Sequence, residues 1–405
     1  MQSVDLLITH ASELLTLKGS QKPRVRQQMR NLGILKNGSI AIHDGIIVDV
    51  GQNLRYKANT VIDASEKLVM PGFVDPHTHV VFAGSREFEL DLKLAGMPYM
   101  EILKRGGGIF YTVEKTRKAS PNHLLSQSKK RLDTMLLHGT TTCEVKSGYG
   151  LDVDNELKLL KVQKKLSETH PMDLVSTFLG AHAIPKHMNA NQYIQIIIHE
   201  MLPRTKGLAR FCDVFCEKGV FTVAQSKKIL LAGKQQGLLP KIHADEIVNT
   251  GGALLAAQVG AQSADHLLRS SEAGLRALAQ NSIVGVLLPG TPFCMMMEQY
   301  APARKMIDLG VPVALATDLN PNCWTENMQM IIQLACLKMQ MTPAEAITAS
   351  TFNAACAIGM QPYIGSLEKG KHADVLILDC PNHQFLPYHF GVNLVQTVVK
   401  RGVVL

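Results

Sequence analysis

The chain is poor in aromatic residues, 5% with a single tryptophan, and has no apolar run long enough to cross a membrane as a helix. A membrane-embedded protein is not expected. Its eight cysteines are scattered, without the spacing of a disulfide framework or a structural zinc site, which fits reduced thiols. Cys212 and Cys216, the closest pair, lie in an apolar run and read as strand residues. Strong charge of one sign is also missing. The 42 Lys plus Arg exceed the 34 Asp plus Glu by +8 over 405 residues, too thin for a nucleic-acid-binding stripe but compatible with a small anionic substrate. The first nineteen residues carry Asp5, His10 and Glu13 where a signal peptide needs a basic start and an unbroken apolar stretch, so the expected location is the cytoplasm.

What is present, 46% hydrophobic and 19% charged residues, suits one large α/β domain with a smaller attachment. The first seventy residues read as β-structure. Val4 to Ile8 is one strand, and Ile40 to Val50 holds two more around Asp44-Gly45, a turn pair that accepts positive φ. Between them the polar stretch 18–37, with Lys22, Pro23, Arg24, Arg26 and Arg30, reads as a solvated excursion. From Gly72 strands alternate with helices, the strands ending near Val80, Val145, Leu179, Cys216, Ile242, His266, Leu288 and Thr317. Eight such units predict a (β/α)8 TIM-like barrel. One helix is marked by Ser120 as N-cap, Pro121 at its first position and Gly139 at its stop. Thr342-Pro-Ala-Glu345 is a capping box that opens another, expected to run to about Ile358. Ala373 to Asp379 then returns to strand. The division is 71–358 for the barrel, with 1–70 and 359–405 as the two parts of a small composite β-sandwich domain.

Chemical residues fall where the apolar strands stop. In Pro71-Gly-Phe-Val-Asp-Pro-His-Thr-His79 the two histidines are two residues apart, so on an extended strand they share a face, with Asp75 one pleat deeper. Further strands end at Tyr149, His182, Glu217, His243-Ala-Asp-Glu246, Asp265-His266 and Thr317-Asp318-Leu-Asn320. The C-terminal rim is where side chains of a barrel converge. A lone histidine at a strand end is commonly hydrogen-bonded filler, but histidines at four ends with an acid at the eighth point to a metal enzyme. The expected ligands are His77, His79, His243 and Asp318, with a place for water acidified by the ion. His266 is then a neighbouring catalytic imidazole and Glu246 a proton carrier.

This pattern resembles the amidohydrolase superfamily of metal-dependent hydrolases. The likeness extends over essentially the whole chain to the members that open an imidazolone ring in histidine degradation. It rests on Phe82-Ala-Gly-Ser-Arg86, Gly96-Met-Pro-Tyr99, Gly106-Gly-Gly-Ile, Glu144-Val-Lys-Ser-Gly-Tyr149, Leu179-Gly-Ala-His182, His243-Ala-Asp-Glu246 and Thr317-Asp-Leu-Asn-Pro321. The resemblance implies hydrolysis of the cyclic amide of 4-imidazolone-5-propanoate to N-formimidoyl-L-glutamate, with one divalent zinc or iron ion per chain. It also implies that His266 stabilises the oxyanion, Asp318 takes the water proton and Glu246 protonates the leaving nitrogen. Arg86, Tyr149 and His182 would bind the anionic substrate, with Tyr99, Asn320 and Asn322 as further pocket residues. In the plainer alternative Arg86 pairs with Glu87 or Glu89. A homodimer is the expected assembly; no nucleic acid or membrane partner is expected.

Two departures stand out. Dinuclear members of the superfamily carry a modified Lys at the end of strand four, where this chain has Glu217, which favours a single ion. Many close relatives have Gly-Ser where this chain has Asn322-Cys323. Two other functions compete: a metal-dependent deaminase of a nucleobase-like heterocycle, which has no carboxylate for Arg86 to clamp, and a metal-free binding or assembly protein, which a gap in the ligand set would betray.

Overall fold

The computed structural model describes residues 3–19, 21–97, 101–102 and 105–405. Two eight-stranded sheets organise it. The first is composite: β1 (Ser3–Leu15), β2 (Ile34–His43), β3 (Ile46–Gln52), β4 (Lys57–Asp63) and β5 (Leu68–Pro71) join β14 (Val375–Leu378), β15 (Val395–Lys400) and β16 (Val403–Val404). Its order is β16-β15-β14-β5-β1-β2-β3, with β4 also paired to β1. The β2–β3 turn has Asp44 at φ +49° and Gly45 at φ +73°, the backbone its sequence predicts. Leu6, Ile8, Leu14, Ile40, Ile42, Val69, Val375, Ile377 and Val399 fill its interior. The tail thus pairs with the N-terminal strands as expected.

The second sheet is parallel and runs in chain order from β6 (Phe73–Asp75) through β7 (Thr140–Lys146), β8 (Asp173–Ala181), β9 (Phe211–Cys216), β10 (Leu239–Ala244), β11 (Ser263–His266) and β12 (Val284–Leu287) to β13 (Val313–Leu315). It closes just past the strand ends, where Thr78 bridges Leu319, His79 N–H donates to Leu319 O at 2.8 Å and Asp318 N–H to His77 O at 3.1 Å. Helices between the strands cover the outside, giving the expected (β/α)8 barrel. Gly72 links the two sheets, because β5 passes through it directly into β6, and a Cβ there would lie 2.2 Å from Thr141 Oγ1.

Helix Pro121–Leu137 has the Ser120 cap and N-terminal proline that its sequence predicts. Two expectations are corrected. The helix opened by the Thr342 capping box ends at Ala349, and a second runs Phe352–Ala357. Ser350 and Thr351 turn their hydroxyls back on Ile347 O, and the freed Ser350 carbonyl accepts Val74 N–H at 2.9 Å, pinning the first barrel strand. The stretch 18–37 is a solvated excursion only in part: most of its residues are exposed, but it is anchored by three that are not. Arg24, Met29 and Leu32 are buried. Arg24 N–H donates to Asn353 Oδ1 at 2.8 Å, while Arg30 and Arg304 both pair with Glu345 at 2.9 Å. Among the described residues no helix is long and apolar enough to cross a membrane, and all eight cysteines are free.

Candidate metal centre and substrate pocket

Pro76 ends β6, but closure keeps the next residues extended, so His77 and His79 turn inward while the Thr78 backbone is held by Lys146 N–H at 2.9 Å. His243 comes from the end of β10. One ligating nitrogen from each of His77, His79 and His243 lies within 4.8 Å of the others. Asp318 adds its carboxylate, with Oδ1 3.6 Å from His77 Nε2 and 3.7 Å from His79 Nε2. Its backbone is left-handed, φ +53°, as is that of His266 at φ +75°. Such kinks are costly for non-glycine residues and turn both side chains into the barrel mouth. Thr291 Oγ1–H anchors the other Asp318 oxygen at 2.6 Å.

A cation fits this donor set. The Nε2 atoms of His77 and His243 are buried and have no hydrogen-bond partner among the described residues, an arrangement that costs about 1–3 kcal/mol per group unless something binds there. Burial, reinforced by Lys146 and neighbouring imidazoles, holds His77 and His79 well below the usual histidine pKa, in the neutral form that ligates metals. Burial likewise takes His266 down to about 4. His243 differs. Burial pulls its pKa down, but Asp213 outweighs that and the net shift is upward.

Beneath the histidines lies a floor of fully buried charge. Glu144 and Lys146 on β7, Asp213 on β9, Lys241 on β10 and Asp265 on β11 all point into the barrel. Asp265 Oδ2 accepts from His77 Nδ1 at 2.6 Å, and Asp213 Oδ2 lies 3.0 Å from His243 Nδ1. Lys146 Nζ joins the two acids, 2.6 Å from Asp213 and 3.4 Å from Asp265, and reaches Glu144 at 3.1 Å. Lys241 Nζ pairs with Glu144 at 2.5 Å and donates to Pro76 O at 3.0 Å. Burial opposes the Lys146 charge, but Asp213, Glu144 and Asp265 more than offset it. The two acids fix the ring orientation of two of the clustered histidines, the arrangement that carboxylates take behind metal-bound histidines.

Around the mouth, Glu246 Oε1 lies 3.7 Å from His266 Nδ1, and burial raises the carboxyl to about 7 although 22% of the side chain stays exposed. The His182 ring stacks on His79 with centroids 4.9 Å apart, and Tyr149 is 5.3 Å from His182. His182 Nδ1 is 3.1 Å from Gly148 O, which can only accept, so Nδ1 carries the hydrogen. Gly148, at φ +109°, leaves the space this needs, since a Cβ there would lie 2.8 Å from the ring.

The sequence-expected residues His77, His79, His243, Asp318, His266, Glu246, Tyr149 and His182 thus gather at one rim. The rest are placed differently. Arg86 forms a buried two-pronged pair with Glu89, Nε to Oε1 and Nη2 to Oε2 both at 2.7 Å, the plainer alternative for this residue. Asn320 shapes its own loop, Nδ2–H donating to Asp318 O at 2.7 Å and Oδ1 accepting from the N–H groups of Asn322 and Cys323. Asn322 Oδ1 meets Lys93 and Arg86. Glu217 accepts Ile247 N–H at 2.8 Å and supports the loop after Glu246. Tyr99 lies outside the described residues. Sequence reasoning missed Lys93 and the roles of Lys146, Asp213 and Lys241. The available signal was a charge at every second position of otherwise apolar strands, as in Glu144-Val-Lys146 and Lys241-Ile-His243.

The amidohydrolase family model matches residues 239–405. The chain is 52% identical over 410 residues to the imidazolonepropionase of Alkaliphilus metalliredigens (strain QYMF), covering 98% of this chain and 97% of that one. It is 52% identical over 415 residues to the imidazolonepropionase of Geobacillus kaustophilus (strain HTA426), covering 99% and 97%. Among solved structures, an adenosine deaminase from Xanthomonas campestris with bound zinc superposes with a TM-score of 0.76 at 17% identity, covering 100% of this chain and 93% of that one. Guanine deaminase of E. coli does so with a TM-score of 0.74 at 14% identity, covering 98% of each. At those identities the deaminases share the fold.

Proposed function

We propose how the residues divide the work from the premise that the chain belongs to the imidazolonepropionases, within the amidohydrolase family. It hydrolyses the ring carbon–nitrogen bond of 4-imidazolone-5-propanoate, giving N-formimidoyl-L-glutamate. The observation that carries the site assignment is the buried His77–His79–His243 cluster with nitrogens open toward one point, beside a carboxyl poised near neutrality.

His77, His79, His243 and Asp318 would hold one divalent ion, zinc or iron, which when bound would supply Lewis acidity and acidify water. Asp318 accepts the proton of the attacking water, its carboxylate held in place by Thr291. His266, neutral because burial takes it to about 4, donates a hydrogen bond to the oxygen that gains charge on the ring carbonyl. Glu246 starts protonated and gives its proton to the ring nitrogen as the carbon–nitrogen bond breaks, so the leaving group departs neutral. His182 is neutral with Nδ1–H on Gly148 O, which leaves Nε2 as an acceptor suited to a ring N–H of the substrate. Tyr149 and Arg86 are assigned to the propionate side of the pocket. A homodimer, on general symmetry grounds, and a cytoplasmic location complete the reading.

The test is the loss of ultraviolet absorbance when metal-containing enzyme meets freshly made 4-imidazolone-5-propanoate. Rapid, chelator-sensitive decay with N-formimidoyl-L-glutamate as product is expected. No turnover by metal-containing protein would contradict the assignment.

A further inference from the structure

We propose that Lys93 supplies the cation that receives the substrate's carboxylate, and that the Asn322 side chain occupies this cation in the free enzyme. The inference rests on the substrate assigned above. Arg86, the expected clamp, already has its Nε and Nη2 edge matched to both oxygens of Glu89, and Glu89 Oε1 also accepts Gly108 N–H at 2.7 Å. Both members of the pair are buried, so it is a fixed, charge-neutral unit. A second carboxylate approaching it meets the Glu89 charge as well as the guanidinium, so the pair alone attracts it less than an unpaired arginine would.

Lys93 changes the sign. It sits four residues after Glu89 on the short helix Phe88–Leu94, one turn along the same face. Its Nζ donates to Asn322 Oδ1 at 2.8 Å, and Arg86 Nη2 lies 3.5 Å from the same oxygen. The three charged groups sum to +1 with Lys93 and to zero without it. One amide oxygen therefore faces a lysine and an arginine together. A carboxylate oxygen fits that position better, because bonds from charged donors are strongest to a charged acceptor.

The loop puts this oxygen within reach of the chemistry. Asn322 N–H is held by Asn320 Oδ1 at 2.7 Å, and Asn320 Nδ2–H by Asp318 O at 2.7 Å, so the amide stands one tight turn from the metal-site carboxylate. An amide that shields the lysine until substrate arrives is the consequence here. The propionate displaces Asn322 Oδ1 and takes both cationic donors.

Steady-state kinetics of Lys93→Met and Asn322→Asp with 4-imidazolone-5-propanoate test this, each variant checked for metal content and thermal midpoint. Lys93→Met is expected to raise KM by about ten-fold or more while kcat falls by less than about three-fold, with Lys93→Arg restoring most of the loss. Asn322→Asp, nearly the same shape, places a permanent carboxylate against Lys93 and is expected to raise KM by internal competition. A KM within about two-fold of wild type in Lys93→Met, in protein that keeps its metal, overturns the role of Lys93, and the same result in Asn322→Asp overturns that of Asn322. Wild-type enzyme that holds metal yet leaves the substrate untouched would instead overturn the substrate assignment.

Discussion

The composite sheet and the floor of the barrel are both buried, yet they are filled by opposite chemistry. Ile8, Leu14, Ile40, Val375 and Ile377 pack the first, where burial itself supplies the stabilisation. The second buries Glu144, Lys146, Asp213, Lys241 and Asp265. Desolvating ions costs several kcal/mol each, and even a well-paired buried network often gains nothing over apolar side chains of the same volume. Stability therefore does not explain the floor. Its connectivity does: Lys146 bridges Asp213 and Asp265, and these end on Nδ1 of His243 and His77. The composite sheet holds the molecule together, whereas the floor aims two imidazoles.

Substitutions can break that contrast or sharpen it. The largest expected effect is on catalysis alone. Glu246→Gln lowers kcat by about 10²–10⁴-fold, as loss of a general acid does, with metal content and melting temperature little changed. In the wild type, burial lifts this carboxyl to about 7, so it is protonated and active below that pH. The rate is expected to fall as pH rises through about 7, and a pH–rate profile of Glu246→Gln should lack that limb. Lys146→Met strands two buried carboxylates and is expected to cost about 3–5 kcal/mol in denaturant unfolding, with weakened metal binding. Ile377→Ala, in the composite sheet, costs about 2–5 kcal/mol by the same measurement, but its metal affinity should match wild type. Asp265→Asn keeps the shape and removes the charge behind His77, and is expected to lower metal affinity about 10–100-fold with a smaller effect on unfolding. At the bottom of the scale, Lys129→Ala removes an exposed pair with Asp133 and should shift stability by no more than about 0.5 kcal/mol.

The composite sheet and the residues proposed as ligands were legible in the sequence for local reasons. Strand alternation, the Asp44-Gly45 turn and the Ser120 cap are encoded within a few residues. His77, His79, His243 and Asp318 stand out because apolar runs stop at them. The floor was not legible in the same way, since a single charge such as Asp213 inside an apolar run says nothing about what faces it. Its partners, Lys146 and His243, arrive only when the barrel closes. The segment 18–37 read as solvated because the acceptor for Arg24 N–H, Asn353, is 329 residues away. The break after Ala349 escaped because the acceptor it exposes serves Val74, in the first barrel strand and far away in the sequence. Arg86 was expected among the substrate-binding residues, and its engagement by Glu89 depends on side-chain geometry that spacing leaves open.

The most direct test of the floor's role is the zinc dissociation constant of folded Lys146→Met beside that of wild type, by competition with a chromophoric chelator and with Ile377→Ala as control. Binding at least about ten-fold weaker in Lys146→Met, with Ile377→Ala equal to wild type, is the expected result. Equal zinc affinity in all three proteins would show that the buried charges do not set the histidines, and would contradict the division of labour between the two sheets.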